Sequence, residues 1–405
     1  MKIVADENIP QVREAFSDLG EVELLPGRQI EKKRLLDCQC LLVRTVTQID
    51  ARLLHDSAVE FVGTATIGTD HVDLDYLEKN QIAFSNAAGC NAEAASEYVI
   101  SGLFALSERN GFDPFKLKAG IIGCGNVGSR VLQKLQALGI ETLIYDPPLA
   151  AAGSKVSDSI DIQKSSPRYA SIERYQSNLT PLIPFTDLDT ILAECNFISL
   201  HVPLTKGGDY PTWHLFDQAR LQNLRKNCVL VNAARGPVLD NNALLDLLDR
   251  RTDLTVFLDT WENEPDILRV LLQKVDLATP HIAGYSVEGR LRGTQMVLDA
   301  ACKHFSLTSN WRMTKLLPEA ITIETRASAN DLIFWQALLA EHHDIWQDHR
   351  ALIRSSTMSD AAFALHFDSL RKVYPQRFEY ERYRLPETTD KKSAGIARKL
   401  KFNIA

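Results

Sequence analysis

Apolar residues along this chain form short runs that alternate with stretches of helical spacing, a pattern typical of an α/β protein with parallel sheets. Near the N-terminus the runs Lys2–Ala5, Cys40–Arg44 and Val59–Gly63 predict strands, with helical stretches between them. The segment Asn91–Ser107 is rich in alanine and leucine and predicts a long helix. We therefore expect a small N-terminal α/β domain that this helix joins to a second domain.

The same alternation continues beyond residue 185, where it predicts most of a doubly wound parallel sheet. The expected helices are Thr186–Glu194, Leu215–Leu224 and Asn241–Asp249, and the expected strands are Phe197–Val202, Cys228–Asn232, Leu254–Asp259 and Asp276–Thr279. The stretch between these elements and the preceding strand, residues 147–184, is polar and contains serine and proline throughout. It predicts an inserted surface loop.

The C-terminal part of the chain has a different pattern. Apolar side chains at helical spacing predict about four turns of one amphipathic helix: Leu332, Ile333, Trp335, Leu338, Leu339, Ile345 and Trp346. A second helix is expected near Ala361–Val373, and Ser393–Ile404 predicts a helix that runs into a strand. These elements fit a separate C-terminal α/β domain. Its apolar stripe fits either a core or a dimer interface, and we expect the domain to dimerise.

One stretch, Lys118–Asp146, indicates a dinucleotide site. A strand ending in Ile121-Ile122 runs into Gly123-Cys124-Gly125-Asn126-Val127-Gly128, followed by a helix that stops at Gly139 and a second strand that ends at Asp146. In this motif the first glycine permits the tight turn, the second lets the backbone approach a pyrophosphate, and the third allows close packing of the helix. A carboxylate at Asp146 can accept hydrogen bonds from both adenosine ribose hydroxyls and would repel a 2′-phosphate, which favours NAD over NADP.

Composition narrows the choice of partners. The net charge of −7 gives no general attraction to nucleic acid or to an anionic membrane, so an anionic substrate needs a local basic pocket. No apolar run is long enough to span a bilayer, and Asp6 and Glu7 interrupt the first one, so we expect neither a membrane span nor a signal peptide. The seven scattered cysteines predict reduced, buried thiols in a cytoplasmic protein, and we interpret Cys38 and Cys40 as strand residues, expecting no metal site.

Polar side chains follow three successive predicted strands of the larger domain. Arg235 follows one strand, Asp259, Glu262 and Glu264 follow the next, and His281 follows the last. In open α/β sheets, ligands bind at the carboxyl ends of the strands, where all these residues are expected.

These residue types suit the oxidation of a 2-hydroxy acid. Histidine can take the hydroxyl proton near neutral pH, and a carboxylate beside it fixes the imidazole. We favour Glu264 for that carboxylate, with Glu262 as its rival. Arginine can hold the substrate carboxylate with its planar fork, and Asp259 suits polar groups of the cofactor.

The segments NAARG (232–236), DTWENEP (259–265) and TPHIAG (279–284) resemble the arginine, glutamate and histidine motifs of the D-isomer-specific 2-hydroxyacid dehydrogenases. The resemblance extends from the N-terminus to about residue 310. It implies that Arg235, Glu264 and His281 are catalytic, with His281 as proton donor and acceptor, and that the cofactor is NAD. It further implies a Rossmann domain for NAD and a smaller, flavodoxin-like substrate domain.

The segments ADENIP, LLVRTVT, ATIGTDHVD, AAGCNAEAASEYV and HIAGYSVEGRLRGT resemble, in particular, members of this family that oxidise a phosphorylated hydroxy acid and dimerise through an extra C-terminal domain. This resemblance implies that the substrate contacts Thr45, Thr66 and Tyr285. The implied cofactor contacts are Asp146, Val202, Asp259 and Gly284, in addition to Gly123, Gly125, Asn126, Val127 and Gly128 of the glycine motif. Val202 has no polar side chain, so its contact would be through backbone or packing.

The pattern and the resemblance together predict three domains. The substrate domain spans residues 1–92 and is completed by about 286–311, the NAD domain spans 93–285 with the insertion 147–184, and the dimerisation domain spans 312–405. Two other functions stay open: a dehydrogenase of the same family acting on phosphoglycerate or glycerate, and a non-catalytic protein that senses NAD. Intact Arg235, Glu264 and His281 weigh against the second.

Overall fold

The computed structural model describes residues 1–155, 185–325, 328, 330–387 and 389–405, and these divide into two units. Unit 1 consists of Met1–Glu93, Tyr285–Glu319 and Gln376–Glu379. Unit 2 consists of Ala94–Gly284, Ala320–Pro375 and Tyr380–Ala405. The predicted division into three domains stays a prediction.

Unit 1 is built on a sheet whose five strands, among the described residues, are all parallel and stand in the order β2-β1-β3-β4-β5. Its strands are β1 (Lys2–Asp6), β2 (Glu21–Leu25), β3 (Cys40–Val43), β4 (Phe61–Thr64) and β5 (Ala83–Asn86). Its helices are α1 (Val12–Phe16), α2 (Ala51–Leu54), α3 (Leu74–Lys79) and, from the later segment, α11 (Val287–Phe305). This strand order confirms the predicted flavodoxin-like fold.

The central strands β1, β3 and β4 are buried on both faces, which explains why they are mainly apolar runs rather than alternating ones. Ile3 and Leu42 pack on one face with Val297 of α11, whereas Val4 and Leu41 pack in a second cluster on the other face. The later segment of the chain is therefore part of the core of unit 1.

Unit 2 contains a parallel sheet of six described strands in the order β11-β10-β9-β8-β6-β7. The strands are β6 (Lys118–Ile122), β7 (Glu141–Tyr145), β8 (Phe197–Leu200), β9 (Val229–Asn232), β10 (Thr255–Leu258) and β11 (Leu277–Ala278). Phe185 forms a further parallel bridge to Ile144 of β7. The chain thus returns to the outer side of β7, as in the doubly wound Rossmann order 3-2-1-4-5-6, which confirms the predicted fold.

The helices of unit 2 agree with the sequence pattern in position and differ at their ends. They are α4 (Ala92–Asn110, which begins in unit 1), α5 (Asn126–Ala137), α6 (Pro147–Lys155), α7 (Leu188–Glu194), α8 (Gln218–Gln222), α9 (Asn241–Leu248), α10 (Arg269–Leu272), α12 (Asp331–His342), α13 (Ile345–Ile353), α14 (Asp360–Lys372) and α15 (Lys391–Lys399). Aspartate side chains cap the N-termini of α7, α8 and α9, where they accept backbone N–H groups.

The prediction of a loop over residues 147–184 is wrong at its start, because Pro147–Lys155 is helical. Asp146 Oδ1 accepts the backbone N–H of Leu149, and proline is well tolerated in a first helical turn. In the sequence, an aspartate that can cap a helix is followed by prolines and then by alanines, and this order could have predicted the helix. The rest of the predicted loop, 156–184, lies outside the described residues.

The apolar stripe between Leu332 and Trp346 does not form one helix. His343 has an extended backbone, and Asp344 starts α13 by accepting the N–H of Trp346. Trp335 and Leu338 are buried, whereas Ile333 is 55% exposed. Most of the stripe is therefore core, and the core of the six-stranded sheet includes Leu352, Phe363 and Phe367 from α13 and α14.

Unit 2 contains a second, small parallel sheet, of which the sequence pattern predicted the last strand, at the end of Ser393–Ile404, and missed the other two. Its described strands are β12 (Ile321–Thr322), β13 (Tyr383–Leu385) and β14 (Asn403–Ile404), paired in that order. All seven cysteines are free, and six of them are buried. Among the described helices, none combines the length and the apolar character needed to cross a membrane.

Candidate active site

The sheet order of unit 2 brings the residues singled out from the sequence to one edge. His281 follows β11, Asp259 and Glu264 follow β10, and Arg235 follows β9. Val202 then follows β8, the glycine turn follows β6, and Asp146 follows β7. Because the strands are parallel, all these segments leave the carboxyl edge of the sheet, in an order that runs from the expected catalytic residues to the expected nucleotide-binding residues.

The three glycines of the turn have distinct local environments. Gly123 has φ +88°, a conformation that favours glycine, and a Cβ there would lie 2.7 Å from Val202 Cγ1. A Cβ on Gly128 would lie 1.9 Å from the carbonyl oxygen of Gly123. A Cβ on Gly125, by contrast, would have no atom within 4 Å. The turn is therefore closed at Gly123 and Gly128 and open at Gly125, as a cradle for a pyrophosphate requires.

The helix after the turn, α5, starts with Asn126 and Val127, and no side chain in the described part of the chain caps its N-terminus. Its first N–H groups therefore suit an anion. Asp146 lies beside the turn, because its Oδ2 accepts the backbone N–H of Cys124 at 2.8 Å. The acid that the motif requires is thus held close to the glycines.

Behind the turn lies His201. Its Nε2 is 2.8 Å from Ser199 Oγ, and burial lowers the pKa of the imidazole to about 3. His201 is therefore neutral at physiological pH, and its role beneath the glycine turn is structural. Val202 lies against Gly123, and its predicted contact with the cofactor stays a prediction.

His281 and Glu264 form a hydrogen-bonded pair, with Nδ1 of the imidazole 2.7 Å from Oε2 of the carboxylate. The second carboxylate oxygen of Glu264 accepts the N–H of Trp261 at 2.8 Å. Burial opposes ionisation of Glu264, but His281 and the Trp261 N–H outweigh it and hold the pKa of the carboxyl below its usual value. Glu264 is therefore an anion that orients the ring of His281.

Glu262, the rival of Glu264, has a different partner. Its Oε1 lies 2.8 Å from Nε2 of His214, and its Oε2 accepts the N–H of Asn241. Asp240 approaches the other side of the His214 ring, with Oδ2 3.5 Å from Nδ1. Ligand atoms of these three residues lie within 4.8 Å of one another, a spacing that a metal ion would also need, but the contacts are those of a histidine held by two carboxylates. The expectation of no metal stays a prediction.

Arg235 is held by a residue whose importance the sequence analysis missed. The side chain of Asn232, fully buried at the end of β9, accepts the N–H of Ala234 and donates to the carbonyl oxygen of Arg235. Gly236 then passes so close to Trp261 that a Cβ would lie 1.8 Å from its carbonyl oxygen. Asparagine at a strand end before a glycine-containing turn was the available signal.

Asp259 binds the loop that carries His281, a role that its sequence position did not predict. Its Oδ1 accepts the hydroxyl of Thr279 at 2.6 Å and the N–H of Ile282 at 2.9 Å, and its Oδ2 accepts the N–H of Ala283 at 3.0 Å. Burial nevertheless raises the pKa of Asp259 above its usual value. Asp259 thus shapes the loop that carries His281 and leads to Gly284, and its predicted contact with the cofactor stays a prediction.

The expected substrate residues belong to unit 1. Thr45 is exposed directly after β3, and the hydroxyl of Thr66 lies 2.8 Å from that of Thr64 after β4. Arg290, in the first turns of α11, has its pKa lowered by loss of hydration and by the charge of Arg44, whereas Tyr285 raises it. Arg44, Arg290 and Tyr285 thus interact electrostatically within unit 1, and the positive charge of the two arginines suits an anionic substrate in a protein of net charge −7.

Comparison with known proteins agrees with this site. Residues 165–283 match the sequence model of the D-isomer specific 2-hydroxyacid dehydrogenase, NAD binding domain. The match begins within the stretch 147–184, and the description of that stretch as an insertion stays a prediction.

Full-length relatives are similar over nearly the whole chain. The erythronate-4-phosphate dehydrogenase of Shewanella woodyi is 39% identical and the alignment covers 96% of this chain and 95% of that protein. The enzyme of the same name from Cronobacter sakazakii is 40% identical over 100% of this chain and 98% of its own. The NAD⁺-bound 3-phosphoglycerate dehydrogenase of Entamoeba histolytica has the same fold, with a TM-score of 0.58, 22% identity and coverage of 76% and 95% of the two chains. The chain belongs to the erythronate-4-phosphate dehydrogenase family, a branch of the D-isomer specific 2-hydroxyacid dehydrogenases.

Proposed function

We propose that this protein oxidises 4-phospho-D-erythronate with NAD to 3-hydroxy-2-oxo-4-phosphooxybutanoate and NADH, a step of pyridoxal 5′-phosphate (vitamin B6) biosynthesis. The observation that carries the proposal is the pair of His281 and Glu264, 2.7 Å apart at the same sheet edge as Arg235 and the glycine turn. Relatives about 40% identical over the whole chain have this enzyme's name.

His281 is the base in this proposal. Because Glu264 accepts the proton on Nδ1, Nε2 is left with its lone pair and can take the proton of the substrate's C2 hydroxyl. The imidazolium that forms is stabilised by the anionic Glu264, which is fixed in place by Trp261. In the reverse reaction the same nitrogen returns the proton to the carbonyl oxygen.

Arg235 holds the substrate carboxylate through its guanidinium and polarises the developing C2 carbonyl. Thr45, Thr66 and Tyr285 bind the phosphorylated end by their hydroxyl groups, supported by the charges of Arg44 and Arg290. A phosphate group is thus matched by hydroxyl donors and by positive charge.

NAD fits the residues present, since the open space at Gly125, the uncapped start of α5 and Asp146 form a cradle for a dinucleotide. Bound NAD supplies the hydride acceptor for C2. In this assignment Gly123, Gly125, Asn126, Val127 and Gly128 surround the pyrophosphate, and Asp146 accepts the adenosine ribose hydroxyls. Val202, Asp259 and Gly284 complete the cofactor contacts.

Steady-state turnover with NAD tests the assignment. The substrates to compare are 4-phospho-D-erythronate, D-erythronate, 3-phospho-D-glycerate and D-glycerate. We expect kcat/KM for 4-phospho-D-erythronate to exceed that for D-erythronate by roughly 100-fold, because charge-assisted phosphate contacts are lost with the phosphate. A preference for 3-phospho-D-glycerate or D-glycerate would favour the other dehydrogenases of the family, and NAD binding without any turnover would favour a sensing protein.

We also propose a cytoplasmic homodimer. Three apolar side chains on or after the C-terminal helices are strongly exposed: Ile333 at 55%, Leu365 at 74% and Val373 at 73%. A dimer interface in this region would remove them from water. The seven free cysteines support the cytoplasmic location, because thiols stay reduced in that compartment. Light scattering of the purified protein measures its mass, and a monomer at micromolar concentration would refute the dimer.

A further inference from the structure

A short segment of the C-terminal region, Gln376–Glu379, lies in unit 1, although the chain on either side of it belongs to unit 2. It packs against the start of α11, directly after Tyr285. Arg377 is 5% exposed and Glu379 is 1% exposed, so this is a buried, polar contact. Burying a charged group costs free energy unless the charge is paired, so the partners of Arg377 and Glu379 are important.

Arg377 holds the backbone on both sides of Ser286. Its Nε donates to the carbonyl oxygen of Tyr285 at 3.1 Å, and its own carbonyl oxygen accepts the N–H of Val287 at 2.9 Å. These two hydrogen bonds fix the turn by which the chain leaves Tyr285 and enters α11. Arg377 therefore holds the backbone from which the Tyr285 side chain extends.

Glu379 anchors the same turn through side chains. Its Oε1 accepts the hydroxyl of Ser286 at 2.9 Å and Nη1 of Arg292 at 3.1 Å, and its Oε2 accepts Nη2 of Arg292 at 2.8 Å. Ser286 is also the N-cap of α11 and accepts the N–H of Gly289. The carboxylate therefore links the cap of the helix to its second turn.

We propose that Gln376–Glu379 is a positioning element for Tyr285, by which the C-terminal region sets recognition of the phosphorylated substrate. The inference rests on the proposed function, in which Tyr285 binds that substrate. Arg377 and Glu379 touch neither substrate nor cofactor in this assignment. They act by holding the backbone from which the tyrosine extends.

The test compares Arg377→Met, which keeps the aliphatic stem and removes the donor, with Arg377→Lys, which keeps the charge. As a matched control, Arg251→Met removes a guanidinium that also donates to backbone carbonyl oxygens, those of Leu224 and Arg225, in unit 2. We expect Arg377→Met to raise KM for 4-phospho-D-erythronate about tenfold while KM for NAD stays within twofold, with partial recovery in Arg377→Lys. The control should leave both KM values within twofold.

A double-mutant cycle with Tyr285→Phe identifies the route of the effect. If Arg377 acts through Tyr285, Arg377→Met should raise KM much less in the Tyr285→Phe background than in the unchanged protein. Equal effects in both backgrounds, or an unchanged KM in folded Arg377→Met, would overturn the inference.

Amide hydrogen exchange over residues 282–292 gives a readout that does not need activity, and we expect faster exchange in Arg377→Met and Arg377→Lys than in the unchanged protein. Unchanged exchange would overturn the positioning role even if the enzyme is active. Absence of turnover in the unchanged protein would instead overturn the proposed function.

Discussion

Nδ1 of His281 lies 2.7 Å from Oε2 of Glu264, and the other oxygen of that carboxylate is bound by the N–H of Trp261. Two partners on one carboxylate leave it little freedom to rotate, so the plane of the imidazole is fixed as well. His281 itself has φ +57°, and its N–H donates to the carbonyl oxygen of Asp259. The histidine is therefore oriented from both its side chain and its backbone.

Replacing His281 should remove proton transfer without removing the cofactor site. We expect His281→Asn to lower kcat roughly 10²–10⁴-fold, the usual contribution of general acid–base catalysis, while the Kd for NAD stays within twofold. Asparagine is chosen because it tolerates a positive φ better than alanine does. Turnover of NAD and calorimetric titration with NAD measure the two effects, and unchanged turnover would refute the assigned role.

The two glutamates of the 259–265 segment should differ sharply. Glu264→Gln removes the negative charge beside His281, so we expect kcat to fall about 10- to 1000-fold. The pKa of Glu264 lies below the usual value for a glutamate, so the native carboxylate is ionised throughout the neutral pH range. The loss of kcat in Glu264→Gln should therefore persist across that range. Glu262→Gln is the matched control, since Glu262 pairs with His214, and its kcat should stay within threefold of the native value. A larger loss in Glu262→Gln than in Glu264→Gln would reverse the assignment.

Replacing Gly125 should weaken NAD binding, whereas replacing Gly128 should destabilise the fold. A methyl group on Gly125 points into open space, so Gly125→Ala should keep the thermal midpoint within about 2 °C and raise KM for NAD roughly tenfold or more by occupying the path of the pyrophosphate. A methyl group on Gly128 would collide with the carbonyl oxygen of Gly123 at 1.9 Å, so Gly128→Ala should lower the midpoint of thermal unfolding by several degrees. Equal midpoints for the two variants would contradict this difference.

The sheet architecture could be predicted because each strand of a parallel sheet covered on both faces is a continuous apolar run. The same reasoning could not detect β13, because three residues, Tyr383–Leu385, are too few for a pattern. It also joined α12 and α13 into one helix, since the apolar spacing continues across His343 and Asp344. That break depends on the cap at Asp344 and on the contact of His343 with Asp348, 2.7 Å away, which periodicity does not report.

At the candidate site, the predicted strands indicated which residues lie at the same edge of the sheet. Residues at successive strand ends were expected to share an edge, and Arg235, Glu264 and His281 do. The choice between Glu262 and Glu264 required side-chain directions, and these follow from the turn after Trp261 rather than from spacing alone. Asn232 and Arg377 were missed because each acts through hydrogen bonds to backbone atoms of another segment.

A partly buried histidine outside the candidate site should make the protein less stable in mild acid. His349 Nδ1 accepts the N–H of Ala278, the end of β11, at 3.1 Å, so the ring must be neutral there. Burial and the charge of Arg109 lower the pKa of His349 from 6.5 to about 4. As pH falls from about 6.5 to about 4, the unfolded chain takes up a proton that the folded chain does not, and the free energy of unfolding falls by at most about 3 kcal/mol.

Asparagine at this position can keep the acceptor without the titration. We therefore expect His349→Asn to show a shallower decline of the thermal midpoint between pH 7 and pH 5 than the unchanged protein. His55→Asn is the control, because the side chain of His55 is 71% exposed, and its pH dependence should match that of the unchanged protein. Identical slopes for all three proteins would mean that the charge of His349 does not set the acid stability. A steeper slope in His349→Asn would contradict the sign of the shift.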